Sequence, residues 1–415
     1  MQQIEVMAPA GSFDSLMAAI KAGAQSVYLG VGELNMRARA SHNFTLEDLS
    51  EVVSICRKHR VKVYLTLNTV MYGADLPEMK KVCDKAKEVG VDAIIASDMS
   101  VINYAKSKGI NIHISTQTNV SNIEAVDYFS QYADVVVLAR ELKLEQIRSI
   151  SEEITKRDIR GPSGELIKIE LFVHGALCMA ISGKCYLSLN AHNSSANRGA
   201  CLQNCRRKYR VIEEETGNEL VLDNQYIMSP KDLCTIEFLD QIIDAGVSVL
   251  KLEGRGKPPE YVYTVTQCYR EAVESIRTHS FSEEKRVDWM KRLQTVYNRD
   301  FWKGGYYLGK EIEMWSGDNG SQATKKKIYA GKVLNYFSNL KVGEILLEAH
   351  RIKKGDRVII TGESTGIVEF HVETLRSHTR EKVDVGEKGE VVTLALPEKV
   401  RRNCKLYLMV DRKQP

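Results

Sequence analysis

IEVMAPAGSFDSLMAAIKAGAQSVYLGVG, residues 4–32, opens the chain with an apolar run, an amphipathic stretch and a second apolar run. Ser12 stands just before the amphipathic stretch and Gly23 near its end, residue types that start and stop a helix. The unit therefore reads as strand, helix, strand. No GxGxxG follows the first strand, so nothing there marks a dinucleotide-binding turn.

The same alternation runs to residue 255. Further strand candidates are VKVYLTLN (61–68), DAIIASD (92–98), NIHISTQTN (111–119), DVVVLAREL (134–142), KIELFVHG (168–175) and VSVLKLEG (247–254), which makes eight. Their centres are nearly continuous aliphatic runs, as expected of parallel strands covered on both faces. Helical stretches between them include 46–60, 76–90 and DLCTIEFLDQIIDAG at 232–246. A doubly wound open sheet also alternates in this way, but eight units without a GxGxxG favour a TIM-barrel-like (β/α)8 domain.

In such a barrel the functional residues sit at the C-terminal ends of the strands. Those ends are unusually polar here: Asn35 and Arg37, Asn68, Asp98, Ser115-Thr116-Gln117, Arg140-Glu141, His174, and Lys251, Glu253 and Arg255. A ring of polar residues from nearly every strand reads as a site. For any one of them a hydrogen bond or ion pair tying the rim together is the plain alternative, above all for Arg140 with Glu141.

The passage from strand seven to strand eight is more than twice the usual length. Its excess is the cysteine segment 174–234, beginning HGALCMAISGKCYLSLNAHNSSANRGACLQNCRR (174–207), and an alternating stretch around a T-G-N turn (216–218) that reads as a β-hairpin. Cys178, Cys185, Cys201 and Cys205 are spaced C-x6-C-x15-C-x3-C. Zinc fingers usually show close CxxC pairs, so zinc fits less well than an iron–sulfur cluster, whose four thiolates are brought together by the fold. Cys234, in SPKDLC, is a fifth candidate ligand. A nucleophilic cysteine would need a base such as His174, but one nucleophile does not explain four clustered thiols. The flank from Asn197 to Arg210 carries Arg198, Arg206, Arg207, Lys208 and Arg210 with no acid, a composition suited to phosphate contact; pairing with the glutamates at 213–215 is the alternative.

The 415 residues allow one large domain, 1–315, and a smaller one, 326–415. After two more helical stretches (258–279 and 283–300) and the glycine- and aromatic-rich 301–309, the pattern changes near residue 325 to short alternating strands with Gly turns, the pattern of a small C-terminal β-barrel. Residues 325–415 hold 19 Lys/Arg against 12 Asp/Glu, while the preceding part is net −3, so the overall charge of +4 belongs to the tail. Such a surplus suits a polyanion or a solvated surface. The N-terminus has no signal-peptide pattern and no apolar run reaches about 18 residues, so a cytoplasmic protein without a membrane partner is expected. In that compartment nine cysteines are thiols or ligands, and Cys56, Cys83, Cys268 and Cys404 lie in apolar patterns expected to be buried.

The chain resembles the U32 peptidase-like family. HGALCMAISGKCYLS, NRGACLQNCRRKY, YIMSPKDLC, LKLEGRGKPPEYV with YREAV, and YNRDFWKGGYY match that family's blocks in order, as do 7–30, STQTN and LAREL. The chain departs from the common form at Gly256 and Pro258-Pro259. By architecture it is most similar to the tRNA hydroxylation branch, which implies 5-hydroxyuridine formation at the wobble position of tRNA, with prephenate as co-substrate and iron–sulfur assembly required. Other branches modify a cytidine of ribosomal RNA or act in ubiquinone synthesis. The resemblance implies a 4Fe-4S cluster on Cys178, Cys185, Cys201 and either Cys205 or Cys234. A small anionic co-substrate would meet Arg37, Arg140, Lys251 and Arg255, and tRNA, not DNA, would meet Arg198, Arg206 and Arg207. His174, Arg140, Glu141 and Glu253 are the candidate catalytic groups. The family's name allows a metal-dependent, collagenase-like protease instead, although the sequence has neither HExxH nor GxSxG. A non-catalytic RNA-binding protein with a structural zinc is a third reading.

Overall fold

The computed structural model describes residues 3–39, 43–210, 212, 214–217, 228–302, 304–309, 316 and 320–412. β1 (Glu5–Pro9), β2 (Ser26–Gly30), β3 (Lys62–Leu67), β4 (Ala93–Ala96), β5 (Ile112–Ile114), β6 (Val135–Val137) and β7 (Lys168–Ala176) pair in parallel in chain order. β8 (Asp232–Cys234) runs antiparallel to the outer end of β7. β9 (Val247–Leu252) pairs in parallel with both β7 and β1, closing an eight-stranded barrel. All eight expected strands are present.

Helices α1 (Phe13–Lys21), α2 (Asp48–Lys58), α3 (Leu76–Val89), α4 (Met99–Ser107), α5 (Ile123–Ser130) and α6 (Leu144–Lys156) follow β1 to β6 in turn. α7 (Leu187–His192) belongs to the cysteine segment, α8 (Leu239–Asp244) precedes β9, and α9 (Pro259–Arg277) and α10 (Glu283–Gln294) follow it. Alternation along each strand builds two apolar layers. Val27 and Leu29 of β2 face the helices in the large core, whereas Tyr28 joins Met7, Tyr64, Ile95, Val135 and Val249 inside the barrel.

One expected helix is corrected. Residues 232–234 carry helix-period apolar residues, yet they form β8, because β7 runs two residues past its pairing with β9 and leaves backbone groups that a partner strand must satisfy. A short 3-10 turn (Ile236–Phe238) then leads into α8. The expected hairpin lies largely on residues outside those described. β10 (Phe301–Trp302) extends the sheet beside β8.

β11 (Lys325–Phe337), β12 (Val342–Leu347), β13 (Ile352–Lys353), β14 (Arg357–Gly362), β15 (Gly366–His371), β16 (Leu375–Arg376), β17 (Val385–Gly386), β18 (Val391–Ala395) and β19 (Lys405–Asp411) form the all-β tail. Seven of them make an antiparallel sheet in the order β15-β14-β19-β11-β12-β18-β16 around one apolar core. It docks on the barrel through Ala18 of α1, which packs with Ile359 and Ile367. Lys21 Nζ lies 2.6 Å from Glu398 and Lys327 Nζ 2.9 Å from Glu260 across the same junction. Among the described residues no helix is long and apolar enough to cross a membrane.

Candidate active site at the barrel mouth

A cavity of about 470 Å³ sits at the C-terminal end of the barrel, within the size range of small-molecule sites. The strand ends make its floor and the cysteine segment covers it. The floor is built on two ion pairs, one buried and one half-buried. Lys251 Nζ of β9 lies 2.6 Å from Glu170 Oε1 of β7, both fully inside, and His113 Nδ1 of β5 is 3.4 Å from the other oxygen of Glu170. Burial pushes the Glu170 carboxyl up, but Lys251 and His113 outweigh it and hold the group below its usual range.

Arg37 donates from Nε and Nη2 to Glu253 Oε1 at 3.2 and 2.9 Å, while the Tyr28 hydroxyl donates to Oε2 at 3.1 Å. Burial opposes ionisation of Glu253, yet the facing Arg37 brings its carboxyl down to about 2, and Glu253 in return raises the Arg37 guanidinium. Burial lowers Arg255 to about 10, with its Nη1 donating to Thr66 Oγ1 at 2.9 Å. Arg140 lies over the Phe172 ring, 4.3 Å from its centroid, and its buried Nε–H has no hydrogen-bond partner. Four cations therefore stand against two carboxylates at this floor, leaving two positive charges for an incoming anion.

The cover is fixed by contacts with three strand ends. Asn119 Nδ2 donates to the Ser182 carbonyl at 3.0 Å. Arg198 holds Asp75 through Nη1 and Nη2, at 2.6 and 3.1 Å, and lies 3.9 Å above the Tyr72 ring centre. Gly199 adopts φ +82°, where a Cβ would collide with the Asn35 carbonyl oxygen, so only glycine lets the chain approach the β2 end before Cys201. Arg206 donates to the Leu177 carbonyl at 2.7 Å and to the Pro230 carbonyl.

Cys178, Cys185, Cys201 and Cys205 all line this cavity, and none of the nine cysteines is in a disulfide. Burial raises the Cys205 thiol; the other three cysteines push it the same way and Arg206 opposes them, so the four thiols lie within electrostatic reach of each other. They share a wall without closing to coordinating distance: among the described residues no three His, Cys, Asp or Glu side chains form a metal-holding group. In donor chemistry the four suit a thiolate-ligated group.

The model of peptidase family U32 matches residues 11–316. The chain belongs to peptidase family U32. Among its U32 relatives, a protein named collagenase from Porphyromonas gingivalis is 52% identical over 410 residues, 99% of each chain. The tRNA hydroxylation protein P1 of Bacillus subtilis is 31% identical over 408 residues, 95% of this chain and 92% of that one. A 23S rRNA 5-hydroxycytidine synthase of Escherichia coli is 34% identical over 66% of this chain and 40% of its own length. The family thus joins collagenase-named proteins with RNA-hydroxylation proteins.

Within the U32 barrel, several sequence expectations change place. His174 does not line the cavity; it is 1% exposed beside Tyr261, Tyr269 and Phe301, and burial lowers its imidazole to about 3. Cys234 is paired across from it in β8, interacts with Tyr269, and stands apart from the other four cysteines. Glu141 is exposed and does not line the cavity, and no ion pair joins it to Arg140. Arg198 and Arg206 are occupied by Asp75 and by carbonyls, which leaves Arg207 exposed among the three expected RNA contacts. Glu170, His113, Tyr28 and Phe172 escaped the strand-end reading because they lie inside the strands. Their signal was a polar or aromatic residue interrupting an aliphatic run, as Glu170 does in KIELFV. In a strand covered on both faces such a residue must point into the barrel and find a partner.

Proposed function

We propose that this protein is an RNA-hydroxylating enzyme that converts the wobble uridine of tRNA to 5-hydroxyuridine, with a 4Fe-4S cluster on Cys178, Cys185, Cys201 and Cys205 and prephenate as co-substrate. The observation that carries the reading is the shared cavity: four thiols on its cover face a floor with two surplus positive charges. The likeness to a tRNA hydroxylation protein over 95% of the chain supports the choice of reaction. When bound, the cluster supplies electron transfer. The chain's own groups do the rest. Arg140 and Arg255 receive the carboxylates of the anion, Phe172 and Tyr28 offer flat apolar faces, and the Glu170–Lys251 and Arg37–Glu253 pairs keep the floor rigid.

Arg140→Met keeps the packing on Phe172 and removes the unpartnered N–H. The KM for prephenate is expected to rise about tenfold to a hundredfold, the worth of a hydrogen bond to a charged group. An unchanged KM removes Arg140 from the anion site.

A collagenase-like peptidase is the second reading, favoured by the name of the 52% identical relative. It needs an activated nucleophile or a metal-bound water. Among the described residues lining the cavity there is no histidine, so none of the four cysteines there has an imidazole base. Anaerobic purification separates the two readings. The hydroxylase reading expects a brown protein with the visible absorbance of an iron–sulfur cluster and no gelatin-degrading activity. A colourless protein that degrades gelatin, and fails to do so as Cys178→Ala, would establish the peptidase.

A further inference from the structure

A second, larger concavity of about 1290 Å³ lies between the barrel and the β tail. The turn after β1 and the 255–259 loop form one wall, and the β14–β15 turn with the segment leading into β19 forms the other. Seven basic side chains line it against three acidic ones. Arg39 on the barrel side and Arg401, Arg402 and Lys405 on the tail side are exposed. Lys327 is paired with Glu260, which leaves six basic side chains against the three acids. The groove therefore presents a surplus of cations, drawn from both walls.

The groove also has a place in the chemistry. Arg255 lines both this groove and the mouth cavity, so the two concavities share one residue of their walls. An enzyme acting on a base must hold the strand by its phosphates and turn the base into a pocket beside them. A basic groove abutting the reactive cavity has that form. The expected contact surface near Arg198 and Arg206 does not, since both are consumed within the protein.

We infer that the groove between the two domains is the RNA-backbone site, with Arg39, Arg401, Arg402 and Lys405 as phosphate contacts that deliver the target nucleotide past Arg255 to the mouth. This rests on the RNA-modifying reading. It assigns a role to the basic surplus of the tail and to the Gly256-Lys257-Pro258-Pro259 loop, which forms part of the groove wall.

The test uses the full chain and fluorescein-labelled bulk tRNA, with affinity read by anisotropy across a salt series. For Arg401→Glu/Arg402→Glu/Lys405→Glu, binding is expected to weaken at least about tenfold and the log–log salt slope to fall by roughly two to three, one unit per lost phosphate contact. The three side chains are exposed, and an unchanged melting temperature shows that the fold is kept. Wild-type binding with an unaltered slope in the triple variant overturns the groove and leaves the RNA reading standing. Absence of salt-dependent tRNA binding by the wild-type chain overturns both.

Discussion

Cys201→Ser is expected to abolish the cluster: iron per chain in anaerobically reconstituted protein falls from about four to near zero, with the visible absorbance lost. Serine keeps the size of the side chain but offers a poor ligand to iron. Cys201 lies close enough to Arg37 to favour its charged form, which places the thiol at the junction of cover and floor. The informative comparison is Cys234→Ser. That thiol is 1% exposed, in a strand paired with β7 and beside Tyr269, and does not line the cavity with the other four. Its replacement should cost some stability and leave the iron content at the wild-type level. The opposite pattern, iron lost with Cys234→Ser and kept with Cys201→Ser, would move the cluster out of the cavity.

Lys251→Met is the second large effect. It leaves the fully buried Glu170 carboxylate without its cation, a loss of about 3–5 kcal/mol. The melting temperature of the barrel should fall on the order of 10 °C. The effect depends on pH in a defined direction. In the wild type Glu170 and Glu253 titrate below their ordinary 4.5, Glu253 at about 2, so their stabilisation is complete above pH 4.5 and is lost as pH falls toward 2. The buried neutral His174, lowered from 6.5 to about 3, removes stability in the same direction over that interval. In the variant the unpaired Glu170 is raised instead, so its penalty is greatest at neutral pH and shrinks on acidification. The gap between the two proteins should therefore narrow from pH 8 to pH 5. Thermal melts across that range check it, and a constant gap would mean that Lys251 acts by packing alone.

The barrel was legible because eight aliphatic runs, most of them followed by an amphipathic helix, leave few other solutions. The site was legible to the extent that position alone decides: cysteines in one overlong connection had to lie at the mouth. What could not be read was pairing across sequence distance. Arg198 looks like a surface cation until Asp75, 123 residues earlier, takes both its Nη groups. His174 and Cys234 look like site residues until the overrun of β7 and its antiparallel partner turn them into core. Glu170 was hidden for the opposite reason, being a charge whose only sign was an interruption of an apolar strand, and the floor of the cavity depends on it.

The central claim, that the thiol-lined cavity hydroxylates a tRNA base, is tested most directly by nucleoside mass spectrometry of tRNA from a deletion strain. The account predicts that 5-hydroxyuridine and its derivatives disappear, return with the wild-type chain, and do not return with Cys201→Ser. An unchanged nucleoside profile in the deletion strain would contradict it, and loss of ribosomal 5-hydroxycytidine in its place would keep the chemistry and change the target.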